Sequence, residues 1–182
     1  MPGRVYDQIF DIAADQFGYV TTAQARLEGV DGRTLVMMAQ RGALDRISRG
    51  VYRLSHFPET RWDHFMAALM WSTPTPAVLS HESALEVFEI SDVNPQKVHV
   101  TVPSTYRVRR QVPPQLIVHR ADLGEGDKTV FRGLTVTSPE RTIRDCHDAA
   151  MGPALVSQAI SDAEREGLIS RKTAGRLREL TS

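Results

Sequence analysis

Apolar residues at the start of the chain recur with helical period. Val5, Ile9, Ile12 and Ala13 fall at i, i+4, i+7 and i+8, sharing one face of a helix that stops before Gly18. Thr21, with Gln24 three residues on, makes a capping-box pair and predicts a second short helix over 22–28, ended by Gly29. Asp31 is the next capping residue and predicts a third helix over 32–41, closed by Gly42. Residues 44–47 and 51–54 are β-rich and flank Ser48-Arg49-Gly50, which reads as a hairpin.

Residues 56–59 contain Pro58 and read as a linker. Beyond it, Trp62, Phe65, Met66, Leu69 and Met70 mark an amphipathic helix, broken by Pro74 and Pro76. Ser80 caps a predicted helix running to 89. Val98, Val100 and Val102 alternate with His99 and Thr101 as a half-buried strand. Residues 116–119 and 134–137 are further strands. Ser138-Pro139 opens a helix to 150, and helices over 153–166 and 170–180 follow. The expected fold is α+β. A winged helix-turn-helix occupies residues 1–56, and a mixed α/β domain with a small sheet and C-terminal helices occupies 57–182.

Helix, helix, tight turn, helix, hairpin is the order of a DNA-binding winged helix, whose third helix enters the major groove. On that helix Leu35, Met38 and Ala39 are expected to face inward. Arg33, Met37, Gln40 and Arg41 share the outer face, with Thr34 beside them. Arginine and glutamine are the types that bond guanine and adenine edges. Arg46, Arg49 and Arg53 surround the wing and suit phosphate contacts. A lone surface arginine merely solvates a face, but five on one helix-plus-wing module point to DNA.

Composition refines this reading. The chain has 182 residues, 41% of them hydrophobic and 24% charged, which excludes wholesale disorder, a collagen-like fibre and a coiled-coil rod. Net charge is zero, so the case for DNA rests on distribution. Residues 33–53 hold five arginines against Asp45 alone, a local charge of +4. Residues 93–121 hold Lys97, Arg107, Arg109, Arg110 and Arg120 with no acid. Arg107, Arg109 and Arg110 lie in a loop between strands. They are read as solvated charge, as a second patch against the DNA backbone, or as a docking surface for an acidic protein. No segment is apolar enough to span a bilayer. Asp7, Asp11 and Asp15 argue against a signal peptide, so the expected compartment is the cytoplasm. Cys146 alone excludes an internal disulfide.

Catalytic and metal signals are weak. Among the histidines at 56, 64, 81, 99, 119 and 147, no two lie at i, i+3 or i+4, and neither HExxH nor CxxC occurs. No metal or other cofactor is expected, and His99 and His119 read as neighbouring structural histidines on strands. Cys146 reads as a small buried hydrophobe. Phosphate-loop, dinucleotide and kinase motifs are absent, so no catalytic residue is assigned. Arg141 and Asp145, at i, i+4, read as a helix ion pair.

Five segments carry a family resemblance. Gly18-Tyr19-Val20-Thr21-Thr22-Ala23-Gln24-Ala25, Arg41-Gly42-Ala43-Leu44 and Arg49-Gly50-Val51-Tyr52-Arg53-Leu54 resemble the winged helix of the AbiEi-type antitoxins. These belong to bacterial abortive-infection (type IV) toxin–antitoxin pairs. Val78-Leu79-Ser80-His81-Glu82-Ser83-Ala84-Leu85 is similar to that family's helix after the linker. Val136-Thr137-Ser138-Pro139-Glu140-Arg141-Thr142-Ile143-Arg144-Asp145 is similar to its C-terminal signature. The resemblance implies a two-domain repressor that binds inverted repeats in its own promoter, as a homodimer on double-stranded DNA. It also implies that the C-terminal domain antagonises a nucleotidyltransferase-like toxin. Two alternatives stay open: a protein-binding module that neutralises the toxin by direct contact, and an atypical enzyme that modifies it, for example by phosphorylation.

Overall fold

The computed structural model describes residues 3–73, 75–107 and 111–181. The chain forms two compact units, Met1–Pro76 and Ala77–Ser182.

The first unit runs α1 (Arg4–Ala14), β1 (Tyr19–Thr21), α2 (Thr22–Leu27), α3 (Gly32–Gln40), β2 (Leu44–Ser48), β3 (Val51–Leu54) and α4 (Asp63–Trp71). Its sheet has the order β1-β3-β2, antiparallel throughout, with Tyr19 opposite Arg53 and Thr21 opposite Val51. This is a winged helix-turn-helix. The predicted periodicity of α1 appears as burial, since Ile9 and Ala13 are fully covered and join Val20, Ala25, Leu35, Leu44 and Leu54 in one core. The Thr21 hydroxyl accepts from the Gln24 backbone N–H at 3.2 Å, while the Gln24 side chain accepts from the Thr21 N–H at 3.0 Å. The Asp31 carboxylate accepts from the Arg33 N–H at 2.9 Å and starts α3. Gly18 takes φ +82°, and a side chain there would meet Phe57 at 2.6 Å.

Two features of this unit differ from the sequence reading. The segment leading into α2 is a strand, because three residues gain a ladder only when β3 arrives beside them. The predicted boundary falls after residue 56, whereas α4 packs with the first unit. Arg53 of β3 bonds the Asp63 carboxylate of α4 at 2.7 Å and the Pro58 carbonyl at 3.0 Å, and its guanidinium lies 5.7 Å from the Tyr19 ring centre. That arginine is 7% exposed.

The second unit runs β4 (Val78–Leu79), α5 (His81–Phe88), β5 (Val98–Val102), β6 (Leu116–Arg120), β7 (Lys128–Phe131), β8 (Leu134–Thr137), α6 (Pro139–Asp148), α7 (Pro153–Arg165) and α8 (Arg171–Leu180). The sheet order is β6-β5-β4-β8-β7. Pairs β5–β6 and β4–β8 are parallel, while β4–β5 and β7–β8 are antiparallel. Helix α5 packs on β5 and α6, and α7 and α8 extend the helical layer. Leu79, Leu85, Ile90, Val100, Leu134, Ile143 and Ile160 are fully buried.

The two predicted serine caps are corrected. Ser80 and Ser138 sit at N-cap positions, but neither hydroxyl caps a backbone N–H of its helix. The Ser80 hydroxyl instead accepts from Thr101 at 2.8 Å and lies 2.9 Å from His81 Nδ1. At the start of α6 the Thr137 and Thr142 hydroxyls bond each other at 2.7 Å, and Thr142 donates to the Thr137 carbonyl at 3.1 Å.

Removing one member of a buried ion pair strands the other. Arg53→Ala is therefore expected to destabilise the protein by about 3 kcal/mol in urea unfolding, and the double change Arg53→Met with Asp63→Leu to recover most of it. A loss under about 1 kcal/mol would show the pair to be solvent-screened. Thr21→Ala removes the α2 cap and is expected to cost about 1–2 kcal/mol in the same measurement.

Candidate nucleic-acid interface

Helices α2 and α3 meet across a short turn whose tightness depends on one missing side chain. A Cβ on Gly32 would lie 2.7 Å from the Thr22 methyl, so the first residue of α3 rests directly on the first turn of α2. Thr22 also anchors the wing, its backbone N–H donating to the Gly50 carbonyl at 2.9 Å. These contacts hold α3 and the β2–β3 hairpin in one frame.

Leu35 is fully buried, and Met38 and Ala39 pack against the core, so α3 turns the expected face inward. Arg33, Met37, Gln40 and Arg41 are exposed, and Thr34 is half-buried beside them. Arg46 and Arg49 are exposed on the wing. Among the described residues, none of Arg33, Arg41, Arg46 and Arg49 forms an ion pair. At 1.5 Å per residue, nine residues make α3 about 14 Å long, a fit for a groove about 12 Å wide. Val36 at 41%, Met37 at 46% and Ile47 at 43% exposure add apolar surface of the kind that meets thymine methyls.

Arg53 is the correction within this set. Its guanidinium is buried under α4 against Asp63 and the Pro58 carbonyl, so it cannot reach a phosphate. Four consecutive buried residues in β3 are the reason, since both faces of that strand are covered. Arg107 is exposed, and Arg109 and Arg110 lie outside the described residues.

In the second unit the expected Arg141–Asp145 pair is present at 2.7 Å, and Arg141 also reaches Asp127 at 3.1 Å. Cys146 is 1% exposed, and burial, with Glu82 and Asp145 nearby, pushes its thiol up to about 12, far from a reactive thiolate. His99 and His119 are neighbours as expected, with His99 Nδ1 3.1 Å from His119 Nε2. The sequence reading missed that His81 joins them, its ring stacked 3.6 Å from that of His119. Burial, then His119, His99 and Arg141, lower the His81 pKa to about 3. Burial also lowers His99 and His119. No local spacing signals the trio, because the three rings come from α5, β5 and β6.

No helix among the described residues is long and apolar enough to cross a membrane. The fold resembles the crystal structure of the RV2827C protein from Mycobacterium tuberculosis. The TM-score is 0.55 at 16% identity, over 97% of this chain and 72% of that one. No curated protein matches the sequence. Residues 7–55, from α1 through the wing, match the family model described as transcriptional regulator, AbiEi antitoxin. The match covers the winged helix-turn-helix module, and over those residues the chain is similar to the AbiEi antitoxin transcriptional regulators.

Proposed function

We propose that this protein is a cytoplasmic antitoxin that binds double-stranded DNA in its own promoter, represses that operon and counteracts a nucleotidyltransferase-like toxin. The observation that carries the DNA reading is the set of unpaired, exposed arginines on α3 and the wing, in a module matched by a family of regulators. Arg33, Thr34, Met37 and Gln40 read base edges, and Arg41, Arg46 and Arg49 hold phosphates. Two copies on an inverted repeat would place two α3 helices one helical turn of DNA apart. Arg107, with Arg109 and Arg110, supplies a second basic patch. The second unit carries the toxin-directed role, by contact or by modification.

Binding to the upstream region, followed by footprinting and mobility shift, is expected to fall steeply with salt. Neutralising roughly six to ten phosphates loses on the order of 10³–10⁵ in affinity between 50 and 200 mM. Arg33→Ala is expected to relax base preference at one position by about 1–3 kcal/mol. Arg49→Ala should weaken all sequences alike and flatten the salt slope by about one unit. An upstream region left unprotected at low salt would refute the repressor reading. For the second unit, intact toxin should co-purify with the Arg33→Ala variant as with the wild type. A mass change in the toxin after incubation with nucleotide would instead assign modification.

A further inference from the structure

We propose that His81, His99 and His119 bind one divalent transition-metal ion of the zinc class, each through a single imidazole nitrogen. The three residues reach the same point from three elements. His81 opens α5, His99 lies on β5 and His119 on β6. In the parallel β5–β6 register Thr101 faces His119, so His99, two residues before Thr101, projects from the same face of the sheet. One ligand atom from each ring lies within 4.8 Å of the other two.

The spacing approaches that of a coordination sphere. Zn–N bonds of about 2.0–2.1 Å in a tetrahedron put neighbouring nitrogens about 3.3 Å apart, and His99 Nδ1 and His119 Nε2 are 3.1 Å apart. Each ring has a lowered proton affinity, so each is neutral near pH 7, the form that binds metal. The Ser80 hydroxyl occupies His81 Nδ1 and is itself held by Thr101, which leaves His81 Nε2 as the ligand. The charge of Arg141 reaches His81 and that of Asp145 reaches His119, and Arg141 is itself paired with Asp145 and Asp127.

One further feature fits a site rather than packing alone, and another must change on loading. His81 takes φ +54° while buried, a strained conformation that the surroundings must hold. A metal lies in the plane of each imidazole it binds, whereas the His81 and His119 rings are stacked at 14°. Loading therefore turns one ring out of the stack about its Cβ–Cγ bond. Three histidines leave a fourth position open, for water or for an anionic group of a partner.

The test is calorimetric titration of the full-length protein, first freed of metal with a chelator, using Zn²⁺ and then Co²⁺. One equivalent per chain is expected, with micromolar or tighter affinity and the visible absorption of tetrahedral Co²⁺. His99→Ala and His119→Gln should each weaken binding by on the order of 100-fold, and Ser80→Ala by about tenfold. His56→Ala, in the other unit, should leave binding unchanged. If a histidine variant fails to fold, X-ray absorption on the wild-type zinc complex decides, with three imidazole ligands expected. No saturable binding, unchanged affinity in folded His99→Ala and His119→Gln, or a zinc shell with fewer than three imidazoles would overturn the proposal.

Discussion

The placement of α3 depends on two adjacent threonines. Thr21 is the last residue of β1 and the cap of α2, so one residue ends a strand and starts a helix. Gln24 extends that junction backward, donating to the Gln16 side chain at 2.7 Å, and Gln16 in turn donates to the Ile12 carbonyl of α1 at 2.8 Å. Thr22 extends it forward, to the wing through Gly50 and to α3 through Gly32. Three helices, a strand and a hairpin are thus indexed to one corner. A groove-binding helix gains little from good side chains if its angle to the wing drifts, and this corner removes that freedom before any DNA arrives.

With zero net charge, the chain has no general attraction to polyanions, and its positive field depends on which arginines lack acids. In the second unit Arg141, Arg144, Arg165, Arg176 and Arg178 all lie against carboxylates. Such pairs add little stability at a surface, but they cancel the local field. Among the described residues, Arg33, Arg41, Arg46 and Arg49 have no such ion pair, whereas Arg53 beside them does. The same residue type is therefore silent at some positions and electrostatically available at others, a difference made by neighbouring acids rather than by arginine count.

What could be read from the sequence was what is encoded locally. The Thr21–Gln24 box, the Asp31 cap and the inward face of α3 each depend on residues within one or two turns, and each stands where the spacing put it. Elements made by distant partners were illegible. Strand β4 is only two residues long and exists because β5 and β8 flank it. Arg53 looked like its neighbours Arg46 and Arg49 until α4 folded over it. The Ser80 hydroxyl looked like a cap until Thr101 and His81 competed for it. The histidine trio is the extreme case, since residues 81, 99 and 119 share no periodicity and meet only after α5 lies on the sheet.

Burying polar groups is tolerable when each finds a complementary partner. Arg53 meets a carboxylate and a carbonyl, with only its Nε unpartnered, and Thr137 meets Thr142. The histidines follow the same rule: one of His99 Nδ1 and His119 Nε2 donates to the other, and His81 Nδ1 lies 2.9 Å from the Ser80 hydroxyl. What sets the trio apart is that three imidazoles converge from three elements. Protonating any of them would set a cation among rings that already disfavour charge, whereas a dication would meet three neutral nitrogen ligands.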